Sequence, residues 1–299
     1  MKLHGIIPPM TTPFDAKGEI EFKQVPAQVD WLVGQGAHGL AVGGSTGEGH
    51  TLDASELKDL IDATVAAVKG RVPVVAGIIS DSTRDVVRRG NLVAKSGVAA
   101  LQVTPVHYLF RPHDDAMLEH FKTVAEETGV PVLIYNVVPW AYLSPQLLTR
   151  IMNEVPGVIG VKQSAGDMKM FADLMITANP RNLIFSAVDA LLYGSFTLGA
   201  HGAIAAILTA APRACVELWN ATAAGDHARA RDLHERLLPL WNAMVSDNLP
   251  ACTKYAQSRQ GIAAGHPRAP MPAPSAAQRA AVDRALAGLG SLVQLSKAA

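Results

Sequence analysis

Short apolar runs recur along the chain, separated by longer segments of mixed character. Eight of them stand out: residues 3–7, 39–42, 74–78, 99–103, 132–135, 158–162, 183–186 and 203–206. Several contain no alternating polar positions, the mark of strands in a parallel sheet covered on both faces. The segments between them follow the helical period. Phe22, Val25, Val29 and Leu32 fall on one helical face, and Leu57, Leu60, Ile61, Val65 and Val68 on another. Asp53 and Ser82 stand where helix N-caps belong, and Ser144-Pro145 reads as a cap followed by proline at the first helical position. Eight strand–helix repeats predict the α/β class and a (β/α)8 TIM barrel over residues 1–211, with an open doubly wound sheet as the structural alternative. Beyond Pro212 the pattern is helical. Leu233, Leu237, Leu240 and Met244 form one stripe, and helices are expected over 251–262 and 276–292. Residues 265–274 are too proline-rich to be helical. Residues 212–299 therefore read as a C-terminal helical extension packed on the barrel, the whole forming one structural unit.

Composition narrows the function. Twenty-six basic and 26 acidic residues cancel, so there is no electrostatic case for nucleic acid or an anionic membrane. A hydrophobic content of 49% excludes a disordered chain. No apolar run reaches the roughly 18 residues of a membrane helix, and the first ten residues are too proline-broken for a signal peptide. The two cysteines, Cys215 and Cys252, lie in no metal-type or redox-type motif, so a reducing, cytoplasmic setting is expected.

Gly34-x-Gly36-x-x-Gly39 matches the dinucleotide fingerprint by letter, but it closes a helix and leads into a strand, the reverse of the required order. It reads as a helix end and a turn; a dinucleotide-dependent oxidoreductase would need it to be more. Gly43 to Gly49 (GGSTGEG) follows a strand and precedes a helix, at the barrel face where active sites lie. Its glycines allow close backbone approach, and Ser45 and Thr46 suit a carboxylate. Lys162 ends an apolar strand. An amine among apolar walls has a lowered pKa and can condense with a ketone to give a Schiff base, although a strand-end lysine can equally reach solvent. Tyr135 ends the preceding strand, where a phenol can pass protons or simply bridge core and solvent. His107 and His113 lie in the loop after the fourth strand, within possible reach of substrate or merely solvated. Asp114-Asp115 reads as a helix start. Asp189 either caps a helix or touches substrate, and Trp219 and Trp241 belong to core or interface. No metal-ligand spacing appears among the ten histidines, so no metal is expected.

Together these pieces resemble the N-acetylneuraminate lyase/dihydrodipicolinate synthase family of class I, Schiff-base enzymes. The resemblance spans nearly the whole chain, from Gly5-Ile6-Ile7-Pro8-Pro9 and Thr12-Pro13-Phe14 to the proline-rich connector. Its specific parts are Gly44-Ser45-Thr46-Gly47-Glu48, Tyr135-Asn136-Val137, Gly160-Val161-Lys162 and Gly199-Ala200-His201-Gly202-Ala203-Ile204. It implies that Lys162 forms the Schiff base, Tyr135 shuttles protons, and Ser45 and Thr46 hold the 2-oxo acid carboxylate, Ser45 also serving the proton relay. Gly44 belongs to the same loop, and Ile204 would line the pocket with its backbone. It further implies a homo-oligomer, dimer or tetramer, and no metal or organic cofactor.

The departures concern the second substrate. Family synthases usually read Tyr-Asn-Val-Pro-x-Arg-Thr-Gly, the arginine binding the aldehyde's carboxylate. This chain reads Tyr135-Asn136-Val137-Val138-Pro139-Trp140-Ala141-Tyr142, with Trp140 or a neighbour in the arginine's place. Trp cannot supply a bidentate charged fork. A Tyr-Tyr pair common after the fourth strand is reduced to Tyr108 within Val106-His107-Tyr108-Leu109-Phe110, and Ser186-Ala187-Val188-Asp189 lacks the usual glycine. The expectation is a lyase or aldolase acting on pyruvate or a longer 2-oxo acid, with an aldehyde acceptor other than aspartate semialdehyde, contacted by Trp140, Tyr108 and His107. A true 4-hydroxy-tetrahydrodipicolinate synthase, a 2-keto-3-deoxy sugar acid dehydratase or deaminase, and a non-catalytic 2-oxo acid binder stand as alternatives.

Overall fold

The computed structural model describes residues 2–296. Met1 and residues 297–299, the outer ends of the two expected spans, lie outside the described residues. Eight parallel strands follow one another around a barrel: β1 (Gly5–Ile6), β2 (Leu40–Val42), β3 (Val74–Ile78), β4 (Ala100–Val103), β5 (Val132–Asn136), β6 (Val158–Gln163), β7 (Leu183–Ser186) and β8 (Gly202–Ala203). Each pairs with its sequence neighbour from β2 to β8, and β8 pairs with β1. The ring closes where the chain leaving β1 meets β2: Ala41 N–H donates to Pro8 O at 3.0 Å, and Met10 N–H to Ala41 O at 2.8 Å.

Helices alternate with the strands: α1 (Val25–Gly34), α2 (Ala54–Val68), α3 (Thr83–Ala94), α4 (Asp114–Thr128), α5 (Pro145–Glu154), α6 (Met168–Thr177), α7 (Leu192–Thr197) and the short α8 (Ile207–Ala210). Local chemistry starts them. Asp53 and Glu56 form a reciprocal capping box on α2, Ser82 caps α3, and Ser144 caps α5 ahead of Pro145, as the sequence predicts. The Gly34-x-Gly36-x-x-Gly39 stretch ends α1, turns through a left-handed Gly36 (φ +93°) and enters β2.

The sheet splits the apolar residues into two cores. Leu3, Ile7, Ala41, Val75, Ala100, Leu133, Phe185 and Ile204 fill the barrel interior. Val42, Ile134, Val161 and Ile184 join the larger core under the helices. Because side chains alternate across a strand, Ile134 and Val161 facing outward put their successors Tyr135 and Lys162 on the inner face, at the barrel mouth. The register pairs those two residues directly.

Three expectations need correction. The first and last strands are two residues long, not five and four. Pro8 and Pro9 offer no N–H to extend β1, and after Ala203 the chain leaves the ladder, Ala206 already being helical at the start of α8. Phe22 is exposed in a 3-10 turn (Phe22–Gln24) because α1 begins only at Val25, with proline in its first turn. The late helices are shorter than read: α9 (Pro212–Ala223) and α10 (His227–Met244) are followed by α11 (Leu249–Ser258) and α12 (Ala276–Gly288). A left-handed Gly261 follows the first of this last pair, and a 3-10 turn through Gly290 follows the second. Trp219 is half-buried and meets Phe196 edge-on at 5.0 Å; Trp241 is half-buried against the same core. The connector between α11 and α12 is non-helical as expected, and α11 packs against the turn that bears Ser45.

Candidate active site

At the barrel mouth lies a cavity of about 440 Å³. Lys162 and Tyr135 enter from β6 and β5, each nearly buried, at 4% and 2% exposure. The Lys162 Nζ sits 3.8 Å from the centre of the Tyr135 ring. The Tyr135 hydroxyl donates to Ser45 Oγ at 3.0 Å. Ser45 and Thr46 reach the cavity from a tight 3-10 turn (Ser45–Gly47) after β2, whose Gly44 carbonyl accepts the N–H groups of both Gly47 and Gly49. Ser164, two residues beyond Lys162, lines the same space, and its Oγ has no hydrogen-bond partner among the described residues. The strand ends are braced from below. Asn136 donates to Gln163 Oε1 and to Leu143 O, both at 3.1 Å, and accepts the Leu143 N–H at 2.9 Å. That exchange fixes the loops that follow Tyr135 and Lys162.

Asp189 opens a 3-10 turn after β7 and lines the cavity. Its Oδ1 accepts the Ile207 N–H at 2.7 Å, tying β7 to the start of α8. Burial pushes this carboxyl up to about 6, against the opposing pull of the Ile207 N–H and the Lys162 charge. It thus anchors the start of a helix and lines the cavity. Tyr142, half-buried nearby, donates to Ser164 O at 3.3 Å, and burial raises its phenol above the ordinary value.

Of the residues singled out in the sequence, Lys162, Tyr135, Ser45, Thr46 and Ile204 come together around this cavity. Gly44 is buried behind the wall and serves through its carbonyl. Trp140, Tyr108 and His107 are not among the lining residues. The Trp140 indole donates to His107 O at 2.8 Å, which ties it to the loop after β4, where it is 71% exposed. His107 is held in turn: its Nδ1 lies 2.9 Å from Pro105 O and 3.0 Å from Asp81 Oδ1. Asp81 also accepts the N–H groups of His107 and Tyr108, leaving the Tyr108 ring in solvent. His113 caps α4, accepting the Ala116 N–H at 3.3 Å, and Asp114 opens that helix as read.

The outer wall is what sequence reasoning missed. Asp247, Leu249, Pro250 and Met271 of the C-terminal extension, with His50, complete the cavity. Nothing in their local pattern distinguishes them from surface or helix-packing residues. Lys162 is the only Lys or Arg of the lining, and two acidic residues, Asp189 and Asp247, share the space. Among the described residues, no group of three or more His, Cys, Asp or Glu is arranged to hold a metal ion. None of the described helices is long and apolar enough to cross a membrane.

A comparison with protein families matches residues 2–288 to the model of the dihydrodipicolinate synthetase family. The chain belongs to that family. It is 35% identical over 297 residues to a 4-hydroxy-tetrahydrodipicolinate synthase of Methylobacterium radiotolerans, covering 98% of this chain and 97% of the relative. It is 31% identical over 274 residues to the Bacillus subtilis protein of the same name, covering 91% and 94%. Among solved structures, a prophage protein of the dihydrodipicolinic acid synthase family from E. coli K12, in complex with pyruvate, superposes with a TM-score of 0.91 at 26% identity, covering 97% of this chain and 99% of that one. The synthase of Aquifex aeolicus gives the same TM-score at 26% identity, with coverage of 98% and 100%. A dihydrodipicolinate synthetase-family lyase on a (β/α)8 barrel is therefore the ground on which the finer chemistry is read.

Proposed function

We propose that the chain is a Schiff-base lyase acting on pyruvate or a longer 2-oxo acid. The observation that carries this reading is one contiguous set: Lys162 Nζ over the Tyr135 ring, with the Tyr135 hydroxyl bonded to Ser45, inside a single cavity. The Lys162 amine attacks the ketone carbon, and the carbinolamine loses water to give an iminium. The iminium draws electrons from the neighbouring carbon, whose proton leaves through Tyr135 and Ser45 to give an enamine. The enamine carbon then bonds to an aldehyde carbonyl, which takes up a proton, and water releases the product and the free amine. Cleavage is the same path reversed. Ser45 and Thr46 hold the 2-oxo acid's carboxylate.

The acceptor is an aldehyde without a second carboxylate. A second anion would meet Asp189 and Asp247 with no arginine in the lining to offset them. The shared name of the relatives favours a second reading, in which aspartate semialdehyde is the acceptor. Incubation with pyruvate and borohydride, followed by a peptide map, tests the first step. A covalent adduct on Lys162 that vanishes in Lys162→Ala is expected. Absence of an adduct with pyruvate and with a series of longer 2-oxo acids would refute the reading and leave a non-catalytic binder. Rates with aspartate semialdehyde against neutral hydroxyaldehydes then separate the two acceptor classes.

The working unit is a homo-oligomer in a cytoplasmic setting. Exposed Tyr108, Leu109 and Phe110, linked to exposed Trp140 by the indole bond to His107, form an apolar surface suited to a second copy. Light scattering on wild type and Leu109→Asp tests this: a fall in mass is expected, and an unchanged oligomer would refute the surface.

A further inference from the structure

Between β2 and α2 the chain turns twice, over Ser45–Gly47 and Gly49–Thr51. Glu48 joins the two turns in the left-handed region, at φ 55° and ψ 32°. Glycine would adopt this conformation freely and stands at positions 43, 44, 47 and 49 around it. A glutamate there is strained, and its side chain must account for it.

That side chain is fully buried and reaches the C-terminal extension. One carboxylate oxygen accepts Lys254 Nζ of α11 at 2.6 Å, and the other accepts the Arg268 N–H of the connector at 2.8 Å. Lys254 also donates to His266 O at 2.6 Å. The Arg268 guanidinium returns to the barrel side, donating to Gly18 O, Thr51 O and Glu56. The Phe14 ring is met by both cations, at 4.6 Å from Lys254 and 4.2 Å from Arg268. One carboxylate thus ties the Ser45–Thr46 turn to α11 and to the connector. The same two elements bring Leu249, Pro250 and Met271 to the cavity wall.

We propose that Glu48 is a positioning residue: it holds the Ser45–Thr46 turn and the outer wall from the C-terminal extension in one fixed relation. The carboxylate end and the acceptor end of the substrate space are thereby set together. This rests on Ser45 and Thr46 being the pair that binds the 2-oxo acid.

Removing Glu48 alone leaves Lys254 buried without its carboxylate partner, which by itself threatens folding. The test therefore uses Glu48→Gly with Lys254→Met, which removes both charges and the backbone strain. Beside it stand Glu48→Gln with Lys254→Met, which keeps an acceptor for the Arg268 N–H, and Glu48→Asp. Each is assayed for KM and kcat with pyruvate, for borohydride-trapped imine, and by hydrogen exchange over residues 43–52 and 265–274. In the Gly/Met protein KM should rise about tenfold or more, because a misplaced binding pair costs that much. Exchange should quicken in both segments together, and the Gln/Met protein should recover part of each effect. Kinetic constants within about twofold of wild type, or faster exchange in one segment only, would overturn the proposal. Failure of all three variants to fold would overturn it as well, making Glu48 an element of folding. If wild type traps no 2-oxo acid, the lyase reading and the catalytic consequence fall together. The exchange data then decide the anchoring alone, and unchanged protection would overturn that too.

Discussion

Asp189→Asn exchanges a half-buried carboxylic acid for a neutral group of the same shape, and its consequence can be worked from the structure. Burial raises the Asp189 carboxyl from 3.8 to about 6. A raised folded value means that the folded state holds the proton more tightly than the unfolded chain. The associated stability is present in full below pH 3.8 and is lost as the pH climbs through about 6. Two pH units at 1.36 kcal/mol each make a total of roughly 3 kcal/mol, most of it lost between pH 4 and 7. Asn has no proton to lose, and its carbonyl can still accept the Ile207 N–H. The gap in Tm between Asp189→Asn and wild type should therefore widen in the mutant's favour by roughly 4 °C from pH 4 to pH 8. Calorimetry at fixed protein concentration reads it, since assembly would otherwise shift both values. An equal gap at the two pH values would mean that the carboxyl ionises as freely as in water. A gap that moves in wild type's favour would mean that attraction to Lys162 exceeds the cost of burial.

His120 gives the opposite slope. Its ring is buried with Nδ1 at 2.9 Å from Thr83 Oγ1, and burial lowers it from 6.5 to about 4. A depressed folded value makes the associated stability present above pH 6.5 and lost as the pH falls toward 4, by roughly 3 kcal/mol. His120→Gln should flatten this acid limb in urea denaturation at pH 4.5 and 7.5, and an unchanged limb would refute the assignment. In the loop after β2, a Cβ on Gly49 would collide with the Gly43 carbonyl. Gly49→Ala should cost about 2 kcal/mol or more, read as a lower urea midpoint; an unaltered midpoint would show that the turn can shift. Tyr135→Phe removes the hydroxyl bonded to Ser45 while keeping the ring beside Lys162. Its single-turnover enamine formation should slow about 10²-fold or more, and a wild-type rate would exclude Tyr135 from proton transfer.

What was legible in the sequence was what alternation and short-range chemistry control. Lys162 and Tyr135 end apolar strands, and a period of two then fixes which face each occupies. Asp53, Ser82 and Ser144 act on N–H groups two or three residues away, so their capping is written locally. The loops that bear Trp140 and Tyr108 were not legible in this way. Their course depends on Asp81 accepting two N–H groups from another loop, and on an indole bond to a carbonyl 33 residues distant. The Glu48 anchor lies further still from local control, joining residues 206 and 220 apart. Such pairs leave no periodic trace, because each partner alone reads as a solvated charge. This difference divides the site by origin. The half that bears Lys162 and Tyr135 is built by strand geometry, from residues whose direction the fold cannot change without breaking the barrel. The outer half is built by the extension, held through side chains, and can be reshaped while every strand stays in register. A change in what this outer half admits should therefore be sought in residues 247–271 and not in the strand ends.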